Sequence, residues 1–220
     1  MEIAHPSGEE LGLLSQRYAA GDFVALEIEA RALLQSYPDT AFLWQVLGVA
    51  LNCQGRDSVA VLQKAIDLQP GDAQAHSNLG NALKSAGRPA EAETRYRRSL
   101  ALNAADPLTH YNLGVVLQDL ARLQEAESAY RQAVALQPAF AQGWYNLGTV
   151  LEDRACLCEA EQCYRRTIAL EPDKLDAHYN LGTTLREMGR LTEAGVCFQY
   201  VLRRQPDYLD AIGNLLSIRN

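Results

Sequence analysis

The chain repeats its own pattern at a fixed spacing of 34 residues. The stretch HYNLGVVLQDLARLQEAESAYRQAVALQP, residues 110–138, returns in altered form at 144–172 and again at 178–206. Self-similarity with a period of about 20–50 residues is the signature of a stacked repeat array. In such an array each unit contacts its neighbours and the core runs along the stack. The sequence therefore predicts one continuous array over residues 1–220.

Each repeat reads as two helices joined by a short turn. Prolines close the second helices, because proline cannot continue a helix; they are Pro70, Pro138, Pro172 and Pro206. A glycine within the first helix costs roughly 0.5–1 kcal/mol relative to alanine, so its recurrence indicates close approach of the paired helix. The recurring glycines are Gly80, Gly114, Gly148 and Gly182. We expect each to face the small residue twelve positions later, namely Ala92, Ala126, Ala160 and Ala194.

The repeats fall at about 7–40, 41–72, 73–106, 107–140, 141–174 and 175–208, followed by a capping helix at 209–220. Leu14 replaces the glycine in the first unit. The second unit is shorter, and its missing residues predict a shortened helix near Ser58. The fold expected is an all-α right-handed superhelix (an α-solenoid) of about five helix pairs with a C-terminal capping helix.

This combination of an aromatic residue or histidine, Leu-Gly, Glu-Ala, an aromatic residue and proline resembles the tetratricopeptide repeat (TPR) family. The segment HYNLG…GRLTEA is most similar to the repeat regions of O-linked N-acetylglucosamine transferases and their bacterial relatives. The resemblance implies a peptide-binding concave groove lined by the first helices. No glycosyltransferase domain follows Asn220 in this sequence, so the transferase activity is not carried over.

One asparagine stands at the same position of five first helices, and a tyrosine precedes three of them. They are Asn78, Asn112, Asn146, Asn180 and Asn214, with Tyr111, Tyr145 and Tyr179. An amide offers donors and an acceptor, which match a peptide backbone, and the resemblance implies this use. Alternatively, the asparagines satisfy the backbone of a neighbouring helix, and the tyrosines only pack between repeats. Acidic residues on the later first helices favour neutral or basic ligands.

The sequence argues against a catalytic histidine, a zinc site, and binding of nucleic acid, an anionic membrane or chaperone C-termini. His76, His110 and His178 share their repeat position with Trp144, so we interpret them as packing residues without a catalytic role. The spacing of Cys156, Cys158 and Cys163 fits no common zinc pattern. The net charge of −7 argues against nucleic acid or an anionic membrane surface as partner. The basic clamp of repeat domains that bind chaperone C-termini is not present at the matching positions.

The sequence therefore predicts a non-catalytic scaffold without cofactor or metal that binds a protein or peptide in its groove. Two alternatives stay open. The chain could be the substrate-recruiting part of a glycosyltransferase, or an assembly module that forms a homo-oligomer through its convex face, where we expect Tyr164 and Phe198 to lie. No segment resembles a signal peptide or a membrane helix, and five cysteines without framework spacing suggest a reducing compartment. We therefore expect a cytoplasmic location.

Overall fold

The computed structural model describes residues 5–219, and every regular element in that range is an α-helix. These residues form two compact units, which divide between Val116 and Leu117, within α7. We call them unit 1 and unit 2. The thirteen helices are α1 (Gly8–Ala19), α2 (Phe23–Ser36), α3 (Ala41–Cys53), α4 (Val59–Leu68), α5 (Ala73–Ser85), α6 (Pro89–Leu102), α7 (Pro107–Asp119), α8 (Leu123–Leu136), α9 (Ala141–Asp153), α10 (Leu157–Leu170), α11 (Leu175–Glu187), α12 (Leu191–Arg204) and α13 (Leu209–Arg219).

The all-α fold built from repeated helix pairs is confirmed. Each of the six predicted repeats contains two helices, so the expected count of about five pairs is one too low. The degenerate first repeat still forms its pair, α1 and α2. The predicted shortening near Ser58 is also confirmed, because α4 has 10 residues whereas the other second helices have 14.

Local capping explains where several helices begin. Ser7 and Glu10 form a reciprocal capping box at the start of α1, in which each side chain accepts from the other residue's backbone N–H. Asp22 accepts from the Ala25 N–H at 3.1 Å, and Asp72 accepts from two N–H groups at the start of α5. These side chains satisfy N–H groups that have no partner within the helix.

The turn inside each repeat passes through the left-handed region of the backbone. Gly21, Gly55, Gly87 and Gly189 occupy it with φ between 69° and 77°. Ala121 and Ala155 occupy it in unit 2 with φ of 57° and 58°. Side chains with a Cβ atom are disfavoured in this conformation, so these two turns carry backbone strain that the glycine turns avoid.

Glycine recurs in the middle of the first helices because a side chain of the paired helix occupies the space that a Cβ atom would need. A Cβ atom on Gly80 would lie 2.6 Å from the Tyr96 ring, and one on Gly148 would lie 2.7 Å from the Tyr164 ring. Phe198 stands in the same relation to Gly182, also at 2.7 Å. The paired helix does approach closely. The side-chain atoms nearest to each glycine belong to the aromatic ring sixteen positions later and not to the alanine at twelve.

In the first repeat the large side chain lies on the first helix and the small one lies on the second helix. Leu14 stands at the glycine position and is buried, and Ala30 stands at the aromatic position and is also buried. In the second repeat Gly48 faces Leu62, which is fourteen positions later because that repeat lacks two residues. One small and one large side chain therefore fill the space between the paired helices in each of these repeats.

A buried glutamate on the second helix ties successive repeats together. Glu27 in unit 1 pairs with Arg31 of its own helix at 2.9 Å and with Arg56 of the next repeat at 2.5 Å. The hydrogen bond from Arg31 holds the pKa of Glu27 below its usual value, although burial acts in the opposite direction. Within unit 2, Glu127 pairs with Arg131 and Arg154, and Glu161 pairs with Arg165 and Arg190.

Candidate peptide-binding surface

The predicted asparagines of unit 1 are half-buried on α5 and α7 and bond to neighbouring amides. The Gln74 Nε2 donates to Asn78 Oδ1 at 3.0 Å. Asn112 Nδ2 donates to Asn81 Oδ1 at 3.1 Å, and the same oxygen accepts from the Tyr96 hydroxyl at 2.7 Å. The amides of adjacent first helices are therefore linked by direct hydrogen bonds.

The asparagines of unit 2 are also half-buried, and two of them bridge adjacent first helices. Asn180 Nδ2 donates to the Tyr145 hydroxyl at 3.1 Å, and Asn214 Nδ2 donates to the Tyr179 hydroxyl at 3.2 Å. Asn146 accepts from Gln142 at 2.9 Å. The alternative left open by the sequence was a bond to the backbone of a neighbouring helix, whereas the partners of Asn180 and Asn214 on the neighbouring helix are tyrosine hydroxyls.

The predicted tyrosines of unit 2 are half-buried and pack against side chains of their own repeat. Tyr145 packs against Tyr164 with ring centroids 6.0 Å apart, and the Lys174 Nζ lies 5.2 Å from the Tyr145 ring centre. Tyr179 packs against Phe198 and Tyr208 at 5.9 and 5.1 Å. Burial raises the pKa of the Tyr145 hydroxyl, with a further contribution from Asp176, so the hydroxyl stays protonated near neutral pH.

Tyr111 is half-buried on α7. The three tyrosines therefore share a half-buried setting on first helices, while Tyr145 and Tyr179 in addition bond to the asparagine of the following repeat.

A groove of about 630 Å³ lies mainly on the first helices of unit 1, and the predicted Asn78 lines it, but its apolar character was not predicted from the sequence. Three large side chains that line it are well exposed: Tyr18 at 58%, Phe42 at 48% and Leu108 at 55%. No charged side chain occurs among the described residues that line it. Its apolar lining comprises Leu14, Tyr18, Leu26, Phe42, Val46, Val49, Leu62 and Leu108. The sequence feature that could have indicated an apolar groove is Val46, which replaces the repeated asparagine in the second repeat.

Amide groups with unused hydrogen-bond capacity also line this groove. The Asn52 side chain makes no hydrogen bond to any described residue, and the Nδ2 groups of Asn78 and Asn81 donate to none within residues 5–219. The unit 1 groove thus combines an apolar, uncharged surface with amide donors.

The acidic first-helix surface expected in the later repeats is partly occupied by internal bonds. Glu152 accepts from the Tyr164 hydroxyl at 2.7 Å and from Thr183 at 3.2 Å. Asp153 and Glu187 remain exposed. Burial, followed by the bond to Glu152, raises the pKa of Tyr164. Glu152 therefore helps to hold two repeats together as well as carrying charge.

The shared position of histidine and tryptophan has a specific bonding role. The Trp144 Nε1 donates to the Pro138 carbonyl at 3.0 Å, and His178 Nε2 lies 2.9 Å from the Pro172 carbonyl. Because a carbonyl only accepts, this geometry assigns the proton to Nε2 of the imidazole. Both residue types provide a ring N–H here, which explains why the repeat accepts either one.

Tyr164 and Phe198 were expected on the convex face, and this was wrong. Both are fully buried, since their rings fill the space beside Gly148 and Gly182. Substitutions at these positions would therefore report on core packing and not on self-association.

The cysteines are free thiols with different exposure. Cys158 is exposed and Cys156 is half-buried, whereas Cys163 and Cys197 are buried. Burial raises the pKa of the Cys163 thiol to about 12. Across the described part of the chain, no cluster of three or more histidine, cysteine or acidic side chains is placed to hold a metal ion. None of the described helices combines the length and apolar character needed to cross a membrane.

The fold resembles several solved structures. YrrB, described as a TPR protein with an unusual peptide-binding site, has a TM-score of 0.73 and 22% identity over 84% of this chain and 96% of its own. PilF of Pseudomonas aeruginosa has a TM-score of 0.82 and 15% identity over 96% and 95% of the two chains. PilW, a type IV pilus biogenesis factor, has a TM-score of 0.79 and 16% identity over 96% and 97%.

Family models assign the repeats directly. A model described as a TPR repeat matches residues 80–120. Two models described as tetratricopeptide repeat match residues 61–94 and 163–195 in one case, and 107–140 in the other. Together these matches extend over residues 61–140 and 163–195. The chain therefore belongs to the tetratricopeptide repeat family.

Proposed function

We propose that the chain is a non-catalytic protein-interaction scaffold that holds an extended peptide segment of a partner along its first helices. The observation that carries this proposal is the repeated half-buried asparagine, which places an amide on the first helix of four repeats and on the capping helix α13. YrrB, which has a similar fold, is described as having a peptide-binding site, and this supports peptide binding by the present chain.

The internal hydrogen bonds of these asparagines are compatible with ligand binding. A carboxamide has two N–H donors and an oxygen with two lone pairs. The bond from Asn180 to Tyr145 uses one of these donors and orients the amide. We propose that the tyrosines position the asparagines, and that the remaining amide capacity receives the peptide backbone.

The expected affinity is modest. Each hydrogen bond contributes about 0.5–1.5 kcal/mol net, and ordering an extended peptide offsets part of that gain. A dissociation constant in the micromolar range, corresponding to about −8 kcal/mol, is consistent with a few such contacts.

Paired variants in unit 2 test the role of Asn180. Short random peptides displayed on phage are selected on the immobilised chain, and the affinity of the selected peptides is measured by isothermal titration calorimetry. We expect Asn180→Ala to weaken binding. Tyr145→Phe removes only the hydroxyl that orients the Asn180 amide, so it should weaken binding, but less than Asn180→Ala does. Equal affinity of a folded Asn180→Ala variant would remove this asparagine from the mechanism.

We also infer that the chain works in a reducing compartment such as the cytoplasm. The five free thiols, two of them buried in unit 2, support this location.

A further inference from the structure

We propose that the unit 1 groove binds an extended, uncharged, apolar segment of a partner protein. This proposal rests on the scaffold function above for its partner being a protein chain. It does not depend on the asparagines of unit 2, because every side chain that lines the groove belongs to unit 1.

The apolar character of the partner segment follows from the exposed side chains of the groove. Phe42 and Leu108 leave about half of their surface exposed, and Leu14 and Leu62 form a buried apolar floor. Contiguous exposed apolar surface is uncommon on proteins and marks interaction sites. A volume of about 630 Å³ is within the range of about 300–1,000 Å³ typical of ligand clefts. The groove is therefore large enough for a few apolar side chains.

The absence of charge on the partner segment follows from the lining. The described lining residues include hydroxyl, amide and apolar groups but no acidic or basic side chain. A charged ligand side chain would lose its water on entering this surface and would gain no counter-ion, which is unfavourable. The rest of the chain carries many charges and a net charge of −7, so the neutral lining is a local property of this groove.

The extended conformation of the segment follows from the amides. Asn52, Asn78 and Asn81 bring unused N–H donors to an otherwise apolar surface. An extended backbone needs partners for its N–H and C=O groups when water is displaced, whereas a helix satisfies these groups internally. Amides beside apolar walls therefore suit a strand-like segment better than a helix.

Two synthetic peptides with blocked termini test the proposal. One alternates leucine and phenylalanine with serine, and the other replaces the apolar residues with aspartate. We expect the first to bind and the second to bind at least about tenfold more weakly, because its charges would be desolvated. Equal affinity of the two peptides, or no binding of the apolar peptide, would overturn the proposal.

Variants locate the binding. Val46→Asp places a charge in the groove and should weaken binding of the apolar peptide by about tenfold or more. Ile28→Asp introduces the same charge at an exposed position of α2 outside the lining and should leave the affinity unchanged. If Val46→Asp does not fold, as judged by circular dichroism, Phe42→Ala removes an exposed contact instead and should also weaken binding. Equal losses in the groove variants and in Ile28→Asp would contradict the assignment.

The unit 2 variant separates this proposal from the scaffold function. We expect Asn180→Ala to bind the apolar peptide as tightly as the unsubstituted chain, even where it loses the phage-selected peptides. Loss of the apolar peptide in folded Asn180→Ala would show that the peptide binds elsewhere and would overturn the groove assignment.

Discussion

The contact between Gly148 and Tyr164 makes the strongest prediction about stability. A Cβ atom on Gly148 would lie 2.7 Å from Tyr164 Cε1 and 2.9 Å from Cδ1, both closer than carbon atoms approach. Tyr164 is fully buried, and its hydroxyl donates to Glu152 at 2.7 Å. The ring therefore cannot move away without losing packing or this hydrogen bond.

The expected magnitude is the difference between two effects. Overpacking a filled core costs about 1–3 kcal/mol, and replacing glycine with alanine in a helix returns roughly 0.5–1 kcal/mol. Taking the middle of each range, we expect Gly148→Ala to lower the free energy of unfolding by about 1 kcal/mol. Urea denaturation followed by circular dichroism measures this change.

Gly213 offers a matched control within the same unit. It lies inside α13, and a Cβ atom there would meet nothing within 4 Å. Gly213→Ala should therefore be neutral or stabilising, by up to about 1 kcal/mol. Gly148→Ala with stability equal to or above that of the unsubstituted chain would refute the steric explanation.

The first repeat suggests two substitutions, at Gly148 and Tyr164, that should compensate for each other. Because Leu14 and Ala30 occupy the equivalent positions there, the double variant Gly148→Leu with Tyr164→Ala should be more stable than the two single changes imply. The expected coupling is about 0.5–3 kcal/mol in a double-mutant cycle. Simple additivity would show that the two side chains do not share one space.

Three further predictions concern individual side chains. Ala155→Gly should raise the free energy of unfolding by about 0.5–1 kcal/mol, because Ala155 has a φ of 58°; a lower urea midpoint would contradict this. The pKa of Glu27 is depressed in the fold, so its stabilising effect is present at neutral pH and is lost as the pH falls below the ordinary value of about 4.3. Glu27→Gln should therefore show a smaller loss of stability on acidification, measured by denaturation at several pH values, and an unchanged pH dependence would argue against it. Iodoacetamide should alkylate Cys158 in the native chain but Cys163 only after unfolding, since the thiolate is the reactive form and burial raises the pKa of Cys163 to about 12. Mass spectrometry of the peptides measures this, and early labelling of Cys163 would contradict its burial.

The helices were predictable because they depend on local pattern. Proline and glycine placed the ends of the helices within a few residues. The identity of the glycine's neighbour was not predictable in the same way. Ala92 and Tyr96 lie four residues apart on one face of α6, so periodicity alone favours both equally, and only the relative position of the two helices selects the tyrosine.

The contacts of the candidate site residues were likewise not predictable from the sequence. The sequence identified the asparagines and tyrosines, but the partners of Asn180 and Asn214 depend on a hydroxyl 35 residues earlier in the chain. Val46 interrupts the asparagine pattern in the sequence, but only the structure places it beside Phe42 and Leu108 in an apolar groove.

The 34-residue repeat and the positions of proline and glycine were sufficient to define the family, the helices and the residues that recur on them. These properties depend on residues that are close together in the sequence. Which side chains meet, which amides keep unused donors and where apolar surface remains exposed were decided by packing between helices. Those features depend on distances between residues far apart in sequence, which no local pattern specifies.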